Sequence, residues 1–309
     1  MPTTNNFIGL RSYSDHTVGT IHLKRDENPE TTLTFGVEVE CEPKRGNGGT
    51  VTGGRENAMR LVHDIVGDNI YFKADGSLRG MDAVEVISEP CSLAYHMYQM
   101  RWKHVMKTLV KLGYRSHDSE NCGFHIHVGR EQLGRTEDER LEVIRKLKVY
   151  LALHWSDVLK FTRRRDHEIH WCQPERYGSW LFSDEVCTDE WVENVEYWVP
   201  YENDHGGRYR ALNCDTRNPT IEFRIFKGTL KRDTFVASLQ WVSELVKWAQ
   251  RASWDDVRHS TFMTPFTHTE YEELRAYLVT RGLAPAEYLG TLRRAPDFRG
   301  TDGVAPAVA

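Results

Sequence analysis

Residues 33–42 read LTFGVEVECE, and their reading decides the fold. Apolar and acidic side chains alternate with period two, the pattern of a β-strand with one face against a core. Val37 and Val39 then face one way, while Glu38 and Glu40 face the other, about 7 Å apart. Three further stretches repeat the device. Phe124-His125-Ile126-His127-Val128 sets two imidazoles opposite three apolar residues, and Ile221-Glu222-Phe223-Arg224-Ile225-Phe226 does the same with a carboxylate and a guanidinium. Val84-Glu85-Val86 adds one more carboxylate.

Working outward, helical spacing from Glu56 to Val66 precedes strands at Ile70–Phe72 and Ala83–Ile87, which flank the turn dipeptide Asp75-Gly76. Ser92 is placed to cap a long helix running to Leu112, with Gly113 at its stop. Thr136 and Glu139 form a capping-box pattern ahead of a helix reaching about Lys160. Strands are expected at Tyr209–Leu212 and Thr220–Phe226, and helices from about Thr234 to Ala252 and from Tyr271 to Thr280. Residues 161–207, rich in Trp, Arg and turn formers, yield no clear order of elements. Residues 1–30 read as an N-terminal arm, 31–295 as a single catalytic domain and 296–309 as a flexible tail. Parallel strands covered on both faces are almost continuously apolar. The alternation here predicts instead an α+β fold with a largely antiparallel sheet, one face on helices and one face polar.

The bulk numbers narrow the function. The chain has 309 residues and a formal net charge of −5, with a pI near 6.3. A nucleic-acid-coating protein is usually strongly basic, so no nucleic acid is expected as partner. No apolar run approaches the ~20 residues of a membrane span, and Met1 to Lys24 lacks the apolar core of a signal peptide. Six scattered cysteines, without metal-finger spacing, read as reduced thiols of a cytoplasmic protein. Cys122, with no evident base beside it, reads as a packed core residue.

Each charged row could be merely the solvated face of its strand. Glu-x-Glu, His-x-His and Glu-x-Arg are nevertheless narrow choices for such a face, because like charges at adjacent same-face positions repel. A cation resolves that repulsion. Several carboxylates with an imidazole suit a hard, oxygen-preferring ion, Mg²⁺ or Mn²⁺. Such a cluster beside an arginine is the equipment of phosphoryl transfer. Gly46–Gly54 (GNGGTVTGG) lacks the Gly-Lys-Ser/Thr ending of a phosphate-binding P-loop, so a nucleotide must be held by other means. The run Arg163-Arg164-Arg165 reads as a solvated face or as a site for a substrate carboxylate or phosphate.

The ordered set FGVEVE, KADGSL, VEVISEP, CGFHIHV, RYRALN and IEFRIFKGTL, spanning about Phe35 to Leu230, resembles the amidoligase family, of the carboxylate–amine ligase superfamily that includes glutamine synthetase and glutamate–cysteine ligase. The resemblance implies a glutamine-synthetase-like domain that joins a carboxylate to an amine with ATP and Mg²⁺ or Mn²⁺, through an acyl phosphate. It implies that Glu38, His125 and Glu222 surround one metal and Glu40 and Glu85 a second. His127 would lie toward the nucleotide phosphates and Arg224 would neutralise the transferring phosphoryl group. Lys73 and Arg210 would contact nucleotide, and Asn213 would contact substrate, a small-molecule or peptide carboxylate or amine; Arg164 and Arg165 are candidate substrate contacts from the basic run alone. Two other readings stay open: a zinc-dependent hydrolase using His125 and His127, and a ligase fold retained only for binding.

Overall fold

The computed structural model of the protein describes residues 9–11, 19–44, 48–175, 177–183, 188–200 and 209–290. The expected C-terminal tail, half of the N-terminal arm and Cys187 lie outside them.

The strands are β1 (Leu10–Arg11), β2 (Thr34–Pro43), β3 (Ile70–Lys73), β4 (Val84–Ser88), β5 (Cys91–Ser92), β6 (Tyr114–Arg115), β7 (Gly123–Gly129), β8 (Leu212–Asn213) and β9 (Thr220–Lys227). They form one sheet in the order β1-β3-β4-β2-β7-β9-β8, with β5 and β6 pairing onto the two ends of β2. Among the ladders between these described strands, the short β1–β3 pairing is parallel and the others are antiparallel. The alternation in the sequence thus has the expected result, an open and mostly antiparallel sheet of an α+β protein.

The helices are α1 (Gly54–Val66), α2 (Leu93–Tyr98), α3 (Trp102–Leu112), α4 (Glu137–Leu153), α5 (Trp155–Thr162), α6 (Thr188–Trp198), α7 (Arg232–Arg251), α8 (Trp254–Arg258) and α9 (Glu272–Thr280). Two of the long helices expected from the sequence are each broken in two. Ser92 does cap the first, accepting from the Tyr95 N–H, and Gly113 ends the second in the left-handed region at φ 101°. Between them Arg101 adopts φ 47°, which stops α2 and restarts the chain as α3. The break is fixed by tertiary contacts: Trp102 Nε1 donates to His96 Nδ1, and the other His96 nitrogen donates to the Phe35 carbonyl. Likewise α4 and α5 part at His154. Thr136 caps α4 as expected, and Glu139 accepts from the Arg135 N–H at 2.6 Å. The expected strand at Tyr209–Leu212 is reduced to Leu212–Asn213.

The apolar rows of β2, β4, β7 and β9 meet α1, α3 and α7 in one core. Trp241 of α7 is fully enclosed, its ring 5.2 Å from Phe161 and 5.7 Å from Phe266. Phe235, one face of α7 earlier, stacks on Phe124 of β7 at 4.8 Å. These contacts hold one face of the sheet rigidly, which fixes where the opposite face points its charged side chains. Part of the unordered middle forms a smaller cluster, in which Leu181, Trp191, Val195 and Val199 pack on Val149 of α4. Among the described residues, no helix is long and apolar enough to cross a membrane.

Candidate active site

Strand register assembles the site. On β2, Glu38 pairs with His125 of β7, while Glu40 pairs with Glu85 of β4. Farther along, His127 pairs with Glu222 of β9, which pairs with Asn213 of β8. Lys73 of β3 stands opposite Glu85, and Arg11 of β1 opposite Lys73. Because the side-chain period is two, these pairings line up Glu38, Glu40, Glu85, His125, His127 and Glu222 on one face, with Lys73 beside them.

The face is not a solvated one. Glu40, Glu85, His125 and Glu222 are 4–6% exposed, and Glu38 and His127 are half-buried. Carboxylates held this far from water at such density need compensating charge. Two groups have the spacing of cation ligands: Glu38, His127 and Glu222 in one, Glu40, Asp75 and Glu85 in the other, with the ligand atoms of each within 4.8 Å of one another. His125 lies at the junction. Its Nδ1 is 3.1 Å from Glu38 and 3.3 Å from Glu222, and its Nε2 is 3.9 Å from Glu40. The first group therefore has both imidazoles within reach, with His127 at the cation-ligand spacing. Thr220 Oγ lies 3.1 Å from His127 Nδ1. His127 Nε2 is enclosed, 3.4 Å from Glu38.

Asp75 is a member that the sequence reading left as a turn residue. Its Oδ1 accepts the Ser77 N–H at 2.6 Å, so the Asp-Gly-Ser turn chemistry is present and sufficient to account for it locally. Only the turn's placement over Glu40 and Glu85 gives it a second role. Glu42, the next same-face residue of β2, holds that loop in place. Its buried carboxylate accepts from the Arg79 N–H at 2.7 Å and from the Ser119 hydroxyl at 2.6 Å. Glu42 is the third glutamate of the alternating row in residues 33–42, a signal the reading of Glu38 and Glu40 alone passes over.

Arg224 sits where β9 carries an extra residue against β7, between the Phe223–Ile126 and Phe226–Phe124 pairs. The bulge lets Ile225 and Phe226 both enter the core while Arg224 stays on the polar face. Its Nη1 pairs with Glu222 Oε1, and Asn213 Nδ2 donates to Glu222 Oε2 at 2.8 Å. Glu40 accepts from the Gly123 N–H.

These contacts divide the carboxylates electrostatically. Burial opposes the charge on Glu38, but His127 and His125 beside it prevail and hold its pKa well below the usual range. Glu222 is lowered too, Arg224 overcoming burial. Burial raises Glu40, and burial together with Glu38, Glu40 and Asp75 pushes Glu85 up to about 10. His127 is raised because Glu38 outweighs its burial. One side of the site is thus compensated by protein cations, and the other carries mutually repelling carboxyls.

The remaining sequence candidates divide. Lys73 is buried on the polar face, and Arg164 lies beside Gly123 at the start of β7. Arg165 is exposed. Arg210 directs Nη1 to the Pro174 carbonyl and lies 3.9 Å from Glu175. Cys122 is enclosed, and burial raises its thiol pKa, in keeping with a packed core residue. Of the tryptophans in the middle segment, Trp191 is core and Trp198 is exposed.

A family model described as "Putative amidoligase enzyme" matches residues 58–246, more than half of the chain. The matched stretch contains His125, His127, Glu222 and Arg224, whereas Glu38 and Glu40 precede it and join it through the β2–β7 ladder. No curated protein matches the chain.

Proposed function

Since the chain belongs to the amidoligase family, we propose that it is an ATP-dependent carboxylate–amine ligase using Mg²⁺ or Mn²⁺, acting on an amino acid or peptide through an acyl phosphate. The observation that carries this reading is the pair of cation-spaced groups placed side by side by Glu38 and Glu40 of one strand. Five carboxylates and one imidazole make a donor set for hard oxygen-preferring ions rather than for zinc. The enclosed His127 Nε2, facing Glu38 at 3.4 Å, fits the same purpose. Bound there, the ions would screen the ATP phosphates from the carboxylates and neutralise charge on the transferring group.

The protein's own groups have distinct tasks in this reading. Arg224, held by Glu222 at the bulge, meets the negative charge of the phosphoryl group as it passes to the substrate carboxylate. Thr220 orients His127, and Asn213 orients Glu222. The carboxylate oxygen attacks the terminal phosphorus and ADP leaves; the amine nitrogen then attacks the acyl carbon, phosphate leaves and the nitrogen gives up a proton. Nucleotide contact by Lys73 and kinship of this sheet with the glutamine-synthetase active-site sheet belong to the same proposal.

Calorimetry tests it. Mg·ATP should bind the wild-type protein, and Glu38→Ala and Arg224→Ala should each weaken binding by tenfold or more, about 1.4 kcal/mol. Binding of zinc with no nucleotide binding would replace the ligase reading with that of a hydrolase.

A further inference from the structure

Two helices far apart in the sequence carry solvent faces of a single sign, and the two signs are opposite. On α3 the exposed charges are Lys103, Lys107 and Lys111, with His104 among them, Arg101 just ahead and no carboxylate in the helix. On α6 they are Asp189, Glu190, Glu193 and Glu196, with no lysine or arginine in the helix. At about 3.6 residues per turn each set forms one continuous stripe. The stripes lie opposite the buried Val105 and Leu109 in α3 and the buried Trp191 and Val195 in α6.

The other long helices are built differently. Charges of both signs on α1, α4 and α7 pair within about a turn of one another, as Arg60–Asp64, Arg140–Glu137 and Lys247–Glu244 do. Lysines at i, i+4 and i+8 repel instead, as do Asp189 and Glu193. Among the described residues, none of the charges on the two stripes has an ion-pair partner. Nor is one stripe neutralised by the other within the molecule: α3 is seated on α1 and α7, and α6 on α4 and α8. Each stripe also exposes one bulky side chain, Val110 at 53% next to Lys111 and Tyr197 at 78% next to Glu196.

We propose that α3 of one copy of this chain docks on α6 of a second copy, a head-to-tail contact in which the lysine stripe meets the carboxylate stripe. Charge complementarity identifies the occupant. Lys103, Lys107 and Lys111 recur about 6 Å apart along the axis, and Asp189, Glu193 and Glu196 about 4.5–6 Å apart, so an ammonium can face a carboxylate on each turn. Tyr197 offers its ring to a lysine, a contact that this chain already makes where Lys24 sits over Tyr98 at 4.6 Å. Because two different faces meet, the contact is heterologous and passes from copy to copy. Helices of this length offer a small interface, so opposite charge rather than buried area carries the association, and salt weakens it. Neither helix supplies a residue to the carboxylate site, so the inference is independent of the ligase reading.

Sedimentation velocity of the full-length protein tests it at about 0.02 M and about 0.5 M salt. Wild type should form species larger than a monomer at the lower salt, with an apparent dissociation constant about tenfold or more weaker at the higher. Two charge-reversed variants, Lys103→Glu/Lys107→Glu and Glu193→Lys/Glu196→Lys, should each weaken self-association by a similar factor. Their melting temperatures should stay at the wild-type value, since all four side chains are exposed and both residue types suit a helix. Mixed in equal amounts, the two variants should associate again, because the unaltered α6 of one meets the unaltered α3 of the other. A wild type that stays monomeric at low salt up to about 1 mM would overturn the proposal. So would association indifferent to salt, or weakened in one variant and not in the other. Variants that each fail to associate alone and still fail when mixed would show that the two faces are not each other's partners, which also overturns it.

Discussion

Glu40 and Glu85 face each other directly across the β2–β4 ladder, two buried carboxyls in register with Asp75 closing the group. With its pKa pushed up to about 10, Glu85 is neutral at pH 7 in the absence of a cation. A raised carboxyl stabilises the fold fully below its unfolded pKa, near 4.3, and loses that contribution as pH rises toward the folded value. Denaturant unfolding of metal-free protein should therefore show wild type losing stability against Glu85→Gln between pH 6 and pH 9. The slope is bounded by about 1.4 kcal/mol per pH unit. Added Mg²⁺ should restore the wild type and leave the variant unmoved; a difference that does not depend on pH would refute the assignment.

Asp75→Asn separates the turn from the site. The amide retains an oxygen for the Ser77 N–H, so the Asp-Gly-Ser turn survives. The lost charge should weaken Mg²⁺ or Mn²⁺ binding about tenfold, ~1.4 kcal/mol, with no change in melting temperature of the metal-free protein. Manganese titration followed by electron paramagnetic resonance reads the affinity directly.

Glu42 tests whether the site depends on its supporting loop. Removing its carboxylate in Glu42→Ala leaves the Arg79 N–H and the Ser119 hydroxyl without acceptors. A cost of about 2–4 kcal/mol in urea unfolding is expected. Weaker cation binding at the Asp75 group should accompany it, because Arg79 and Asp75 share one loop. Glu42→Gln, which keeps an acceptor, should recover most of both.

His96 supplies a pH response remote from the carboxylates. Burial lowers its pKa to about 4, and its neutral form is fixed by Phe35 and Trp102. With an unfolded value near 6.5, the unfolded chain binds the proton first. Stability is complete above pH 6.5 and falls as pH drops toward 4, by about 3 kcal/mol in all. His96→Gln should flatten that part of the wild-type pH–stability curve; identical curves would show that His96 is not its source.

Much of the sheet was legible because period-two alternation is a property of the chain itself. Whatever strand lies alongside, Glu38 and Glu40 share a face, as do His125 and His127. Helix starts at Ser92 and Thr136 were legible for the same reason, since a cap needs only the next three residues. The breaks at Arg101 and His154 were not, because contacts there come from distant parts of the chain, as when the Phe35 carbonyl holds His96 and Ser260 meets His154.

The sequence by itself thus determined which side chains would face away from the core, and that they would be carboxylates, imidazoles and a guanidinium of an amidoligase. Tertiary structure alone decided who meets whom. Strand order brought β4, β2, β7 and β9 together across long connections, a loop swung Asp75 over Glu40 and Glu85, and a bulge kept Arg224 on the polar face. The turn after α5 set Arg164 beside Gly123. The physical reason is that alternation is dictated by local backbone geometry, whereas register, bulges and loop placement follow from hydrogen bonds and packing between residues far apart in the chain.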